Sequence, residues 1–243
     1  MLPKAVENGF IAVIQPLIKL FSRFKVNPNW FTTLGLILNI AAALAFALGS
    51  KYGTRNDLQY VGWGGFLVLM GGICDIMDGK IARAAGLSTR FGALYDSVLD
   101  RYSEVIMFLG MGYYLIGHDY FYESVFCFIA LGGSTMVSYI RARSEGLKLD
   151  CKVGLMQRPE RIVWLGFGSM FCGLSLYFVD PGYVWIVNGI HVFKPIYLFT
   201  GPVVIVAIFA NYTAVQRMYH SHKLSLQLQA EEEKLPDKKE IPV

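Results

Sequence analysis

Apolar residues fill six stretches of the chain, each about as long as a helix that crosses a membrane. They span residues 31–50, 60–78, 92–117, 121–140, 162–179 and 196–215. About 20 apolar residues are enough for a helix to cross ~30 Å of hydrocarbon. The pattern therefore predicts six transmembrane helices, and an even number of crossings places both chain ends on the same side of the membrane.

The segment before the first apolar stretch has a different pattern. In residues 5–24, apolar positions recur at helical spacing, and Lys19 and Arg23 lie near the end. This is typical of an amphipathic helix that lies in the membrane interface, here with a bend expected near Pro16. Polar residues interrupt the segment too often for a cleavable signal peptide.

These patterns divide the chain into three parts. We predict an interfacial helix over residues 1–26, a six-helix transmembrane domain over 27–217, and a polar cytoplasmic tail over 218–243, with a frayed helix and a disordered end. Hydrophobic residues make up 54% of the chain and charged residues 16%, which excludes an ordinary soluble domain. The expected fold class is an all-α integral membrane protein, with membrane lipids and no nucleic acid as partners.

Cationic residues are distributed unevenly between the two predicted sides of the membrane. Of the 22 Lys and Arg residues, 18 lie in the N-terminal segment, the loops 79–91 and 141–161, and the tail. Only Lys51, Arg55 and Lys194 lie on the other side, and Arg101 falls within the third span. Cytoplasmic loops carry the excess of Lys and Arg, so the richer side is predicted to be cytoplasmic.

Four cysteines are scattered along the chain without the spacing of a metal site. They are Cys74, Cys127, Cys151 and Cys172. We expect buried thiols with no chemical role, which is the usual state of free cysteine.

Four carboxylates lie within or beside the second and third apolar stretches: Asp75, Asp78, Asp96 and Asp100. Each pair is three or four residues apart, so each falls on one face of a helix, and an antiparallel hairpin would bring the two pairs together. A single acid near a helix end is usually solvated surface charge, but an intramembrane cluster of four needs a positive partner. Hard oxygen ligands suit Mg²⁺, Mn²⁺ or Ca²⁺.

The complete pattern D-x2-D-G-x2-A-R-x8-G-x3-D-x3-D over residues 75–100 resembles the signature of the CDP-alcohol phosphotransferase family. The resemblance implies a six-helix membrane enzyme, often a homodimer, with two Mg²⁺ (or Mn²⁺) ions. It also implies that Asp75, Asp78 and Asp96 are the main metal ligands. Asp100 has the position of the general base and also lies within reach of a metal.

The same resemblance implies a site for the cytidine diphosphate part of a CDP-lipid. The residues concerned are Asn27, Pro28, Asn29, Trp30, Gly79, Arg83 and Thr89. Arginine can pair with phosphate, and glycine allows close approach of the backbone. Alternatively, Arg83 anchors lipid headgroups, and residues 27–30 are an ordinary helix start.

Arginines cluster at the cytoplasmic ends of the last three spans, in the segments 138–143 (SYIRAR), 157–161 (QRPER) and 216–217 (QR). The set resembles the phosphatidylinositol phosphate synthases of prokaryotes. Arg141 stands where those enzymes have Lys, Gln157 stands where they have Glu, and the loop 144–157 has no clear match. The resemblance implies that the phosphate of the acceptor binds Arg141, Arg143, Arg161 and Arg217. Alternatively, these residues set topology and contact anionic headgroups.

The sequence thus predicts transfer of the phosphatidyl group of CDP-diacylglycerol to inositol phosphate, with release of CMP. Glycerol 3-phosphate as the acceptor, in a phosphatidylglycerophosphate synthase, is the main alternative. Free inositol, serine or another alcohol, and an ether-linked CDP-lipid donor, also stay open. A cation channel or transporter is disfavoured because the acids cluster at one face and three of the spans are almost uninterrupted apolar sequence.

Overall fold

The computed structural model describes residues 4–180, 182–187 and 190–234. Most of them are helical. The helices are α1 (Lys4–Arg23), α2 (Asn29–Tyr52), α3 (Gln59–Ala84), α4 (Arg90–Gly117), α5 (Phe121–Gly146), α6 (Arg158–Leu174) and α7 (Tyr197–Lys234). A 3-10 turn, Ser175–Tyr177, follows α6, and the strands β1 (Trp185–Val187) and β2 (Ile190–Phe193) precede α7.

Four of these helices are long and apolar enough to cross a membrane: α2, α3, α5 and the part of α7 over Tyr197–Glu231. The protein is therefore an integral membrane protein. The helix α4 carries four charged residues between positions 96 and 104, which lower its apolar character: Asp96, Asp100, Arg101 and Glu104. The helix α6 has 17 residues, or about 26 Å, slightly less than the hydrocarbon thickness. Six spans therefore stay a prediction.

The region between the last two helices differs from the expectation. The fifth apolar stretch was expected to be helical to residue 179, but α6 ends at Leu174. The strands β1 and β2 then form an antiparallel hairpin, which the sequence analysis did not predict. The strand residues include Trp185, Ile186, Val187, Val192 and Phe193, which are aromatic and β-branched types that favour strands, but a run this short gives little signal.

The two ends of the chain are helical where the structure describes them. The helix α1 covers most of the segment predicted to be interfacial and contains Pro16. The helix α7 continues without a break from the last predicted span into the polar tail as far as Lys234. Residues 235–243, predicted to be disordered, lie outside the described residues.

The helices α3 and α4 do not pack as the predicted hairpin pair. Each packs mainly against α2, while α5 packs against α7 and α6 packs against both α3 and α7. Small residues allow the close approach of α2 and α4: a Cβ added at Gly110 would lie 2.5 Å from the Cα of Ala43. The carboxylates still meet, because α2 contacts both helices beside the acids, with Thr32 bonded to Asp78 of α3 and Thr33 bonded to Tyr95 of α4.

The packing of α3 against α6 has an antiparallel register set by glycines. A Cβ added at Gly62 would lie 2.8 Å from the Cα of Gly173, and one at Gly72 would lie 2.8 Å from Ile162. Larger residues at these positions would push the helices apart. The same register, continued for one more turn, places Asp75 opposite Arg158.

A small apolar cluster joins α1 to α3 beside the carboxylates. Ile14 and Ile18 of α1 are buried against Met77 and Ile81 of α3. All four cysteines are buried and form no disulfide, so the predicted burial is confirmed.

Candidate metal and substrate site

Three of the four predicted acids converge at the ends of α3 and α4. One carboxylate oxygen from each of Asp75, Asp78 and Asp96 lies within 4.8 Å of the other two. Asp78 is 5% exposed, and the hydroxyl of Thr32 on α2 donates a hydrogen bond of 2.7 Å to its Oδ2. The Oδ1 atom of Asp96 is buried and has no hydrogen-bond partner among the described residues. A buried carboxylate oxygen in this state, beside two further acids, fits a hard divalent cation.

The fourth acid, Asp100, is held by Arg158, whose role in the site was not predicted from the sequence. Arg158, the first residue of α6, donates a hydrogen bond of 2.6 Å to Oδ1 of Asp75. The same nitrogen forms an ion pair with Oδ2 of Asp100, which also lies 4.0 Å from Arg101. Within the segment 157–161, the sequence predicted a binding role only for Arg161. The partner of Arg158 follows from the register of α3 against α6, which is a tertiary feature.

A second buried pair lies one helical turn further along α4. Arg161 is fully buried, and its Nε donates a hydrogen bond of 2.7 Å to Oε1 of Glu104, which is 7% exposed. The Nη1 of Arg161 also donates to the carbonyl oxygen of Met156 at 3.1 Å. Asp96, Asp100 and Glu104 are each four residues apart, so all three lie on one face of α4. This spacing could have predicted a place for Glu104 near the site, but no such prediction was made.

A cavity of about 490 Å³ opens beside the acids and is lined by Asp78 and Asp96. All but one of the residues predicted for the CDP-lipid site line it, namely Asn27, Pro28, Asn29, Gly79, Arg83 and Thr89. The exception is Trp30, which is 71% exposed and does not line the cavity.

Local structure explains how the loop between α3 and α4 shapes this cavity. Gly86 has φ +67°, a left-handed conformation that glycine adopts without strain, and it reverses the chain after α3. Thr89 caps α4 by accepting a hydrogen bond of 2.9 Å from the backbone nitrogen of Gly92. An added Cβ at Gly79 would meet only the Arg83 guanidinium, at 3.6 Å, so a side chain there would occupy space next to the cavity wall.

The predicted acceptor arginines are in two different environments. Arg141 is 42% exposed and pairs with Glu145 at 2.9 Å on the same helix, and Arg143 is exposed. Arg217 is 2% exposed and donates to two backbone carbonyls, those of Val153 at 2.8 Å and Val137 at 2.6 Å. The charges of Arg141 and Arg161 both act on Arg217, so these three cations from α5, α6 and α7 are brought near one another.

The loop before α6 is fixed to α7 by hydrogen bonds. The backbone nitrogen of Met156 donates to the hydroxyl of Thr213 at 3.1 Å, and the thiol of buried Cys151 donates to the carbonyl oxygen of Arg217 at 3.8 Å. Together with the Arg217–Val153 bond, these contacts tie the start of α6 to the arginine of α7.

Known proteins resemble this chain over most of its length. An archaetidylinositol phosphate synthase from Methanothermobacter thermautotrophicus is 28% identical over 220 residues, which cover 88% of this chain and 95% of the relative. A phosphatidylinositol phosphate synthase from Streptomyces avermitilis is 32% identical over 223 residues, which cover 90% of this chain and 81% of the relative.

Solved structures have the same fold. The crystal structure of Mycobacterium tuberculosis phosphatidylinositol phosphate synthase with CDP-DAG bound matches with a TM-score of 0.67 and 26% identity, over 86% of this chain and 94% of that one. The same enzyme in complex with manganese and citrate matches with a TM-score of 0.66 and 26% identity, over 85% and 87%.

The family pattern of the CDP-alcohol phosphatidyltransferases matches residues 25–196. This range contains all four acids of the predicted signature and every residue that lines the cavity. The family predicted from the motif is thus confirmed, and the chain belongs to the CDP-alcohol phosphatidyltransferase family.

Proposed function

We propose that this protein is a metal-dependent phospholipid synthase that transfers the phosphatidyl group of CDP-diacylglycerol to inositol phosphate and releases CMP. The observation that carries the proposal is the convergence of Asp75, Asp78 and Asp96 beside a cavity lined by the predicted CDP-lipid residues. The names of the relatives and the CDP-DAG in a structural neighbour support the choice of substrates.

Asp75, Asp78 and Asp96 would hold the divalent cations, with Asp100 as a further ligand for the second of two ions. The manganese in a structural neighbour supports Mg²⁺ or Mn²⁺. Such ions, when bound, neutralise the diphosphate and stabilise the leaving phosphate. Thr32 holds Asp78 from behind and fixes the direction of its carboxylate, as outer hydrogen bonds do at metal sites.

The cavity would bind the cytidine diphosphate of the donor, with its lipid chains in the bilayer. Arg83 and Lys25 bring positive charge to the cavity wall, and Asn27, Asn29 and Thr89 bring polar groups. Charge-assisted hydrogen bonds from arginine suit phosphate oxygens. Trp30, exposed at the start of α2, would contact the interface or the lipid rather than the nucleotide.

Asp100 would act as the general base. A hydroxyl of the acceptor loses its proton to Asp100 while its oxygen bonds to the β-phosphorus of the donor. The bond from that phosphorus to the bridging oxygen breaks, and CMP leaves. Both ion pairs of Asp100 use Oδ2, so Oδ1 is the oxygen that would take the proton.

The acceptor phosphate would bind the cluster of Arg141, Arg161 and Arg217, with Arg143 at its exposed edge. Several guanidinium groups brought together favour a phosphorylated acceptor over a neutral alcohol. The amide of Gln216, next to Arg217, has a buried Oε1 without a hydrogen-bond partner among the described residues, and would accept a bond from an inositol hydroxyl.

We further propose that α2 to α7 all cross the membrane, with α1 in the interface and the active site facing the cytoplasm. The excess of Lys and Arg, 18 of 22, on the side of the acids supports this orientation. A homodimer is proposed by analogy with the family. Residues 27–217 would then form the catalytic transmembrane domain. Residues 218–243 would form a tail in the cytoplasm.

A CMP-release assay with purified protein, CDP-diacylglycerol and Mg²⁺ tests the function. Inositol phosphate, inositol, glycerol 3-phosphate and serine are compared as acceptors, with Asp100→Asn as the inactive control. We expect turnover with inositol phosphate and little with the other three. Consumption of glycerol 3-phosphate but not of inositol phosphate would show that the acceptor assignment is wrong.

The donor is compared in the same assay. Because one relative is named archaetidylinositol phosphate synthase, an ether-linked CDP-lipid is tested beside CDP-diacylglycerol. The higher kcat/KM identifies the donor.

A further inference from the structure

Arg158 binds two of the acids assigned to the metal site. Its Nη1 donates to Asp75 at 2.6 Å and pairs with Asp100. The three side chains are mostly buried, with exposed fractions of 19% for Arg158, 25% for Asp75 and 15% for Asp100. An ion pair at this depth is screened little by water, so the contact is electrostatically strong.

Arg161, one turn further along α6, is anchored in a different way. Its guanidinium bonds Glu104, outside the metal acids, and the backbone carbonyl of Met156. In contrast, every hydrogen bond and ion pair of the Arg158 guanidinium within the described part of the chain goes to Asp75 and Asp100. The Nε of Arg158 and the Nη2 of Arg161 are both buried without a hydrogen-bond partner there, so the difference lies in the bonds that each arginine does make. Glu104 and the backbone of Met156 therefore fix Arg161, whereas among the described residues only Asp75 and Asp100 hold Arg158.

The charges of the site explain why this difference matters. Asp75, Asp78, Asp96 and Asp100 carry four negative charges, which two divalent ions would neutralise in full. The additional charge of Arg158 would then be repelled by the ions, and its two acceptor oxygens would be needed as ligands. A cation that shares ligands with a metal ion lowers the affinity for that ion by linkage.

We propose that Arg158 and a divalent cation compete for the carboxylates of Asp75 and Asp100. Binding of the second ion displaces Arg158 from both carboxylates and leaves the guanidinium beside the site, where an anionic substrate can bind it. Arg158 is thus a positioning residue whose place in the site depends on metal loading. The inference rests on the proposed function for the identity of the reaction but not for the competition itself.

The competition is tested by titrating Mn²⁺ into the detergent-purified full chain without substrates, followed by electron paramagnetic resonance. For Arg158→Gln we expect the weaker Mn²⁺ site to bind about tenfold more tightly than in the unchanged protein, in the usual range of coupling between sites. Arg158→Lys keeps the charge on a shorter side chain with a more strongly hydrated head group, so its Mn²⁺ affinity should lie between those of the unchanged protein and Arg158→Gln. Lys223→Gln, an exposed change on α7, controls for the loss of a positive charge and should leave the affinity unchanged.

Thermal unfolding with EDTA and with saturating Mn²⁺ gives the second readout. Without metal, Arg158→Gln should unfold at a lower temperature than the unchanged protein, because the paired acids lose their counterion. With Mn²⁺ the difference should shrink. An unchanged or weaker Mn²⁺ affinity in both Arg158 variants, or an equal loss of stability with and without Mn²⁺, would overturn the proposal and leave a purely structural ion pair.

The two proposals fail separately. If no acceptor supports CMP release but Arg158→Gln binds Mn²⁺ more tightly, the function is wrong and the competition stands. If inositol phosphate is consumed but the Mn²⁺ affinities are equal, the function stands and the competition is wrong.

Discussion

The proposed nucleotide half and the proposed acceptor half of the site are built in opposite ways. The nucleotide half comes from α2, α3, α4 and the segments before and between them, residues 25–96, and forms an open cavity of about 490 Å³ with Arg83 exposed. The acceptor half takes Arg141, Arg161 and Arg217 from three different helices, and two of these arginines are at most 2% exposed.

Burial explains the difference. An arginine in water needs no protein partner, so Arg83 can stay free for a ligand. A buried guanidinium must be paired and hydrogen-bonded, because an uncompensated charge in a low-dielectric interior is very costly. Arg161 and Arg217 accordingly bond Glu104 and backbone carbonyls, which also fix their positions. In the proposed acceptor half, the hydrogen bonds that hold the two buried arginines therefore use part of their donor capacity on the protein itself.

The largest effect is expected at the junction of the two halves. Asp78→Asn removes the charge of a proposed metal ligand and changes the group that bonds Thr32. Losing an outer partner of a metal site costs up to about 100-fold, so losing a direct ligand should lower turnover by more than that. CMP release and Mn²⁺ affinity are the measurements. Asp150→Asn, in which an exposed acid is changed, should retain both, and a fully active Asp78→Asn enzyme would contradict the metal site.

Variants of the buried pair Glu104–Arg161 test whether Arg161 both stabilises the fold and binds the acceptor phosphate. Glu104→Leu alone leaves the Arg161 charge buried without its acid partner and should cost roughly 3–5 kcal/mol of unfolding free energy. The double variant Glu104→Leu/Arg161→Leu should recover most of that stability but not the turnover of inositol phosphate. Thermal unfolding and the KM for inositol phosphate separate the two effects.

A double variant with restored stability and an unchanged KM would show that Arg161 only stabilises the fold. The acceptor half would then consist of Arg141 and Arg217, with Arg143 at its edge.

The smallest effect is expected at Arg141, where the chain departs from the related synthases. Arg141 is 42% exposed and its partner Glu145 is 47% exposed, so the pair contributes little. Arg141→Lys restores the residue of the related enzymes and should change the KM for inositol phosphate by no more than about fivefold, since an exposed ion pair is worth at most ~1 kcal/mol. A larger change would show that the planar guanidinium itself binds the phosphate.

The sequence was sufficient where local spacing determines the outcome. The i, i+3 and i, i+4 spacing of Asp75, Asp78, Asp96 and Asp100 was enough to predict a metal site, because helical periodicity fixes which side chains share a face. The apolar composition likewise predicted a helical membrane protein and buried cysteines. The motif residues around Gly79 and Thr89 form the cavity for the same reason, since they are close in sequence to the acids.

Only the tertiary structure decided which helix face meets which neighbour. The glycine contacts of α3 with α6 set the register that brings Arg158 to Asp75, and α2 rather than a direct hairpin joins α3 to α4. Likewise, the partner of Arg161 is Glu104, 57 residues earlier in the chain. Periodicity gives the direction of each side chain along its own helix, but close packing between helices selects its partner, and that selection depends on contacts far apart in sequence.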